Sequence, residues 1–507
     1  MSSRRYSAAL TAALHAELTA HLLRDDGQED LCFAIWYPSE GGRRTTALLH
    51  TALLPVVGER RVHGNASFEP PYFERAIGEA IAAGGGLAFL HSHGGPGWQG
   101  MSGDDIRAEE SHAASTYGAT GLPLVGLTLG TDGAWSARAW VRGGPRRYYR
   151  RWCENVRVIG EQLRVTYHDT LRPAPRPREE LRRTISAWGP DAQAHFARLR
   201  IGIVGAGSVG SIIGEALART GVEDVVLIDF DTVERVNLDR LLHASVADVG
   251  RAKVRVLGDA LRKSATAERF SVTEVEFGVG EDTGLRAALD CDVLFSCVDR
   301  PWPRSILNAV AYAHLIPVID GGIDVTTTKR GTLRGADWRA HIAGPCHQCL
   351  ECIGQYNPGL VAADREGYFD DPQYIRGLQA EGGVRGNENV FAFSLAVGSL
   401  EMLQLLAMVI APAGVANLGG RLFHFVEGSF EPPTFDLCKP TCLYSQFLAR
   451  GERMGLVLTG RHVAAEAKRA ERLTGTVRGQ PRVTWLRRVW RTAARPFRNR
   501  ATTHTDQ

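Results

Sequence analysis

Ile201-Gly202-Ile203-Val204 runs directly into Gly205-Ala206-Gly207-Ser208-Val209-Gly210, then a helix-like stretch through Arg219, then Val225-Val226-Leu227-Ile228-Asp229. Strand, glycine turn, helix and strand in that order make a βαβ unit, in which a helix lying across the sheet joins two parallel strands. Further apolar runs, Val293 to Cys297 and Ile316 to Ile319, suit more strands of a mostly parallel sheet buried on both faces. Gly205, Gly207 and Gly210 allow a tight turn and let backbone N–H groups at the helix start meet phosphate oxygens. Asp229, nineteen residues beyond Gly210 at the end of the second strand, is placed to bind ribose hydroxyls. These four residues alone serve NAD, FAD and ATP users alike.

The residues beyond the second strand narrow the choice: Asp229-Phe230-Asp231, then Asn237-Leu238-Asp239-Arg240, Lys253 and Asp299. A hydride-transfer pocket has no use for Asn, Arg, Lys and Asp gathered around phosphates. Nucleotidyl transfer at an α-phosphate does, because cations neutralise charge developing on the phosphoryl oxygens while an Asp holds Mg2+. Over roughly residues 180–445 this arrangement closely resembles the ThiF/MoeB adenylyltransferases and their relatives, the ubiquitin-activating enzymes. The resemblance implies a Rossmann-like adenylation domain, bounded here as 181–450, that uses ATP and Mg2+. It implies that Asp229 holds the ribose with Asp231 beside it, that Asn237, Arg240 and Lys253 contact phosphates, and that Asp299 binds Mg2+. Arg183 matches the arginine that family members insert into a partner subunit's ATP site, so a homodimer is implied. The run NLDRL departs from the family's NLNRQ-like pattern at Asp239 and Leu241, and Asp239 adds negative charge near the phosphates.

Residues 1–155 alternate short apolar runs with helix-like stretches, as a separate α/β domain does, and residues 156–180, with the Pro- and Arg-rich Arg172 to Arg178, read as a linker. Within the first domain, Leu87-Ala88-Phe89-Leu90 ends in His91-Ser92-His93. Histidines at i and i+2 of an extended segment point to one side, and Asp105, twelve residues after His93, adds a carboxylate. Three protein ligands leave a position open for water, as in a catalytic zinc site. With Ser102-x-x-Asp105 behind it, the pattern resembles the JAMM/MPN metalloproteases. That resemblance implies His91, His93 and Asp105 as zinc ligands, Ser102 as the donor to the tetrahedral intermediate, and Glu29 as general base. Glu17, Glu40 and Glu59 compete for the last role. Gly94 replaces the family's usual proline, and eight residues separate His93 from Ser102 where seven are usual, which leaves Asp104 as an alternative ligand to Asp105.

Nine cysteines, clustered late, suit metal binding in a reducing, cytoplasmic compartment better than a disulfide framework. Cys346-x-x-Cys349 with Cys438-x-x-x-Cys442 reads as a structural zinc site, which the adenylyltransferase family commonly has. Cys349-x-x-Cys352 is an equally good pair, and a leftover Cys352 would stand where thioester-forming relatives keep their nucleophile. Cys32, Cys153, Cys291 and Cys297 read as structural.

The run Val390 to Pro412 carries Glu401 and Gln404, which favours a buried helix over a membrane span, and Leu10, Leu14, Leu18 and Leu22 suggest a packed N-terminal helix. Residues 451–507 hold thirteen Arg/Lys against four Asp/Glu in a chain whose net charge is +3, and Trp485, Trp490 and Phe497 are interleaved among them. Such a tail could grip an acidic partner, nucleic acid or a membrane surface; it reads rather as a partly ordered, solvated extension, with no membrane partner expected and nucleic acid not favoured.

Together the resemblances imply a bifunctional enzyme. One half would activate the C-terminal glycine of a ubiquitin-like, β-grasp protein with ATP; the other would mature or remove that modifier. Similar fusions accompany conjugating-enzyme-like proteins, which the resemblance adds as partners. Two alternatives stay open: sulfur-carrier activation for cofactor or cysteine synthesis with carrier processing, and an NAD-dependent oxidoreductase with a metal-binding module.

Overall fold

Gly86–Ser92 is the strand around which the N-terminal half is built: all seven of its residues are buried, and it pairs antiparallel with Leu31–Glu40 and parallel with Leu124–Leu129. The computed structural model describes residues 4–145, 147–328, 330–370 and 389–474. Nine strands form the first sheet, with Leu163–Tyr167 at one edge and Arg147–Trp152 at the other. Helix Ala12–Leu22 covers one face through Leu14, Leu18 and Leu22, which meet Trp36 and Trp135. Helices Pro70–Ala82 and Gly103–Thr120 cover the other, where Tyr72, Ala76 and Ala113 pack on Phe33 and Phe89. Leu10 departs from the leucine repeat: it lies in strand Arg5–Thr11, and the helix begins only after Thr11, whose hydroxyl accepts the Leu14 N–H.

The segment expected as a linker from residue 156 carries two strands of this sheet, Asn155–Ile159 and Leu163–Tyr167, paired antiparallel. Val156, Val158, Leu163, Val165 and Tyr167 alternate at the two-residue period of a strand and are buried. The stretch without strands therefore starts only after Tyr167.

Among the described residues the second sheet has eight strands. Ser271–Val275, Asp224–Ile228, Arg200–Val204, Val293–Ser296 and Val318–Thr327 run parallel, and Leu333–Ala343, Arg421–His424 and Ser429–Phe430 follow antiparallel. Arg200–Val204 has the next strand of the chain on one side and Val293–Ser296 on the other. The order reverses there, and ligands of open α/β sheets settle at the carboxyl ends of strands flanking such a point. Helix Phe391–Ile410 lies against this sheet with Glu401 and Gln404 fully buried, Gln404 Nε2 donating to the Gly419 carbonyl at 2.7 Å. It is the one described helix long and apolar enough to cross a membrane, and 61% of its most apolar window is buried inside the protein.

The two sheets share a core. Ala9, Leu48 and Ile159 of the first join Ile201, Leu217, Val293 and Leu315 of the second in one apolar cluster. Beside it lies a buried charge cluster: Arg44 donates to Asp292 at 2.6 Å, Arg157 lies 3.6 Å from the same carboxylate, and Arg200 reaches Glu154 at 3.4 Å and Asp224 at 2.7 Å.

Candidate functional site

At the switch point the chain walls a cavity of about 870 Å³, within the size range of ligand pockets. Gly205 (φ +98°) has no room for a side chain, since a Cβ would stand 2.3 Å from the Cys297 carbonyl oxygen, and a Cβ on Gly210 would stand 1.9 Å from the Gly205 oxygen. A Cβ on Gly207 would meet nothing within 4 Å, and this residue lines the cavity at the start of helix Ser208–Arg219. The turn thus presents backbone rather than side chains, as close approach of a phosphate requires. The Asp229 carboxylate accepts the N–H groups of Ala206 and Asp231, each at 2.7 Å, which ties the turn to the following loop.

Around this turn the residues singled out from sequence converge: Asp229, Asp231, Asn237, Arg240, Lys253 and Asp299 all line the cavity. Lys253 Nζ lies 3.0 Å from Asp231 Oδ2. Burial works against the ammonium, but Asp229 and Asp231 outweigh it and raise its pKa, so Lys253 is charged at neutral pH. Asp231 is lowered despite its burial because Lys253 and Lys468 flank it. Arg240 donates to the Val236 carbonyl at 2.7 Å and to Asp239 at 2.9 Å, so Asp239 orients this arginine, and Asn237 accepts the Glu234 N–H at 3.0 Å. Asp299 is exposed just beyond strand Val293–Ser296. Arg183 is exposed on helix Arg182–Trp188, outside the cavity of its own chain. Sequence reasoning missed Trp302, Arg304, Arg339, His462 and Lys468, which also line the cavity. The last two belong to the basic tail, whose charge surplus was the only signal they gave.

The sulfur site corrects the expected ligand set. Sγ atoms of Cys349, Cys352, Cys438 and Cys442 lie within 4.8 Å of one another, with Cys349 and Cys442 3.6 Å apart. A tetrahedron of about 2.3 Å zinc–sulfur bonds has edges of roughly 3.8 Å, so the four thiols fit Zn2+. The Cys349 N–H donates to Cys438 Sγ at 3.1 Å and the Cys352 N–H to Cys349 Sγ at 3.3 Å. Hydrogen bonding from Cys349 lowers the Cys438 thiol, favouring a thiolate there. Cys346 stands outside: it is exposed in a turn closed by His347 N–H to Gly344 O, with φ +67°. Cys352 stands in its place among the four sulfurs.

In the first sheet, Nε2 of His91 and of His93 face each other at 3.1 Å, and Asp105 reaches them at 3.5 and 3.3 Å. Burial lowers the pKa of His91 to about 3, leaving the ring neutral and suited to a metal. Ser102 caps helix Gly103–Thr120: its Oγ accepts the Asp105 N–H at 3.1 Å while the Asp105 carboxylate accepts the Ser102 N–H at 2.6 Å, which fixes Asp105 toward the histidines. The alternative, Asp104, is exposed and pairs with Arg107. The longer loop folds onto itself, with Gln99 Nε2 donating to the carbonyls of Gly95, Pro96 and Gly97 and Asp132 accepting the Gly97 N–H. Burial raises the Glu29 carboxyl, and His93 and Asp105 lie near enough to act on it. Of its competitors, Glu40 is paired with Arg4, Glu59 with Arg75, and Glu17 is exposed on the N-terminal helix.

Compared with known protein families, residues 181–438 match the ThiF family. Molybdopterin-synthase adenylyltransferase of Escherichia coli (strain K12) is 32% identical over 168 residues, 32% of this chain and 61% of that protein. The tRNA threonylcarbamoyladenosine dehydratase of the same strain is 32% identical over 139 residues, 27% of this chain and 52% of that protein. The SAMP-activating enzyme E1 of Haloferax volcanii is 31% identical over 162 residues, 32% of this chain and 57% of that protein. The chain thus spans between half and two thirds of the length of these relatives.

Proposed function

Because this chain belongs to the ThiF family, we propose that its C-terminal half adenylates the terminal carboxylate of a β-grasp protein, a ubiquitin-like modifier or sulfur carrier. The observation that carries this reading is the convergence of Lys253, Arg240, Asn237 and Asp299 on one cavity at a glycine turn. The turn and Arg240 hold the triphosphate, and Lys253 lies against charge that grows on the phosphoryl oxygens in the transition state. A carboxylate oxygen of the carrier attacks the α-phosphorus, the bond to the bridging oxygen breaks, and pyrophosphate leaves. Mg2+, held by Asp299, would neutralise charge on the phosphates. Arg183 is offered outward to a second copy, which makes a homodimer part of the proposal. The molybdopterin-synthase adenylyltransferase and SAMP-activating relatives favour carriers of this class.

ATP–pyrophosphate exchange tests the reading. A β-grasp protein ending in glycine should stimulate exchange, and deleting its last glycine should abolish the stimulation. Binding of NAD with no exchange under any carrier would return the oxidoreductase alternative and sink this one. With Cys352 engaged among the sulfurs, the proposal contains no thioester step, so a carrier adduct sensitive to dithiothreitol is not expected.

The His91, His93 and Asp105 cluster favours a second activity for the N-terminal half: hydrolysis of an amide bond beside a carrier's terminal glycine, as in JAMM/MPN metalloproteases. A bound Zn2+ would supply Lewis acidity and make water acidic enough to ionise near neutral pH. Glu29 takes the proton of the attacking water and returns it to the leaving amine. Ser102 Oγ, accepting the Asp105 N–H, keeps its own hydrogen to donate to the tetrahedral oxyanion.

Four thiols around one Zn2+ carry their own expectation. Cys352→Ser should remove about one zinc equivalent per chain, read by elemental analysis of the purified protein, and Cys346→Ser should remove none. The reverse result would restore the ligand set expected from sequence.

A further inference from the structure

Residues 459–472 belong to the basic tail, of which residues 475–507, with Trp485, Trp490 and Phe497, lie outside the described residues, and they are docked on the nucleotide cavity. Helix Val463–Thr474 presents Ala465, Lys468, Arg469 and Arg472 on one face, and Ala465 is fully buried. Lys468 pairs with Asp231, Arg469 with Glu281, and Arg472 with Glu276 at 3.1 Å while donating to the Phe230 carbonyl at 3.0 Å. Ahead of the helix, the Gly460 N–H donates to the Gly280 carbonyl at 2.8 Å. The His462 ring packs against Phe230 and Trp302, with centroids 4.6 and 5.4 Å apart. The carboxylate partners and Phe230 belong to the two loops that follow strands Asp224–Ile228 and Ser271–Val275, so the segment bridges both loops.

The site has a direction. Phosphates belong at the glycine turn and the ribose at Asp229, so the base extends past Asp229 toward Phe230, Gly278 and Val279. His462 stands at that end and lines the cavity together with Ala464 and Lys468. The segment walls the cavity and leaves it open, with about 870 Å³ free while it is docked.

We propose that residues 459–472 form the outer wall of the nucleobase subsite and that His462 packs on the base, so that the basic C-terminal segment positions ATP in the adenylation site. Ion pairs of Lys468, Arg469 and Arg472 hold the wall in place, and His462 supplies the ring surface. This inference rests on the ATP reading of the same cavity. Only nucleoside-bearing ligands should feel the loss of the His462 ring, because that ring packs on Phe230 and Trp302 at the base end of the cavity.

The test is equilibrium binding of ATP, adenosine and inorganic tripolyphosphate to the full-length protein, to His462→Ala, and to Arg469→Ala combined with Arg472→Ala. The double variant undocks the helix without altering a residue that lines the cavity. Aromatic stacking on a base accounts for a loss of roughly fivefold or more when the ring is removed. Both variants should weaken ATP and adenosine by at least that factor, and His462→Ala should leave tripolyphosphate unchanged. Unchanged ATP binding in both variants, with the parent binding ATP normally, would overturn the wall while sparing the adenylation reading. Tighter ATP binding would also overturn it, by showing that the segment obstructs the site. A parent that fails to bind ATP would remove the adenylation reading and this inference with it.

Discussion

Lys253→Ala is expected to lower carrier-stimulated ATP–pyrophosphate exchange by at least about a hundredfold, the usual cost of removing one group that stabilises transition-state charge. The fold should survive. Lys253 opens helix Lys253–Ser264, its N–H donates to the Asp231 carbonyl at 2.9 Å whatever the side chain, and Asp231 keeps Lys468 as a cationic partner. Thermal melting should therefore move little while exchange collapses. The amide hydrolysis proposed for the N-terminal half should be untouched, since His91, His93 and Asp105 belong to strand Gly86–Ser92, the loop after it and helix Gly103–Thr120, away from the nucleotide cavity. His91→Ala should do the converse. Loss of both activities in Lys253→Ala would contradict two separate sites, and exchange within a few-fold of the parent would take Lys253 out of the reaction.

The second large effect is structural. Asp292 is 1% exposed, and its carboxylate takes Arg44 at 2.6 Å, the Arg200 N–H at 3.0 Å and Arg157 at 3.6 Å. Against the opposing effect of burial, Arg44, Arg157 and Arg200 hold this carboxyl well below the ordinary range. Asp292→Ala leaves buried guanidiniums short of a counter-charge, and breaking a buried pair from one side costs about 3–5 kcal/mol. A drop in Tm of roughly 10 °C by calorimetry is expected. Because Arg44 and Arg157 come from the first sheet and Asp292 from the second, both halves should melt earlier together. A shift of only a degree or two would mean that Glu154 and Asp224 suffice to balance the cluster.

Much of this protein was legible in its sequence where a local pattern determines geometry. The glycine turn, the parallel strands around it and Asp229 follow from short-range sterics and from apolar runs buried on both faces; His91 and His93 follow from strand alternation, and Asp105 was named from the Ser102-x-x-Asp105 pattern, which the structure shows to be a capping box. The sulfur ligands were not legible, because Cys346 and Cys352 stand at equal spacing from Cys349. The turn at Gly344–His347, which leaves Cys346 exposed, decides between them. The linker was begun too early because two short strands, whose partners are each other and Arg5–Thr11, precede the Pro- and Arg-rich run Arg172 to Arg178 that marks it. His462 and Lys468 were invisible for a different reason. A lysine on a helix reads as solvated until the carboxylate it faces is known, and Asp231 lies more than two hundred residues away in the chain.

The apolar cluster that Ala9, Leu48 and Ile159 share with Leu217 and Val293 bears on how such a protein can evolve. In a beads-on-a-string arrangement either half can be exchanged by recombination at the connecting segment. Here a swapped half would leave unfilled space on both sides of the seam, and unrelieved voids of that kind cost several kcal/mol, on the order of a large fraction of a domain's net stability. Exchanging one half alone would therefore need matching changes at the seam residues of the other.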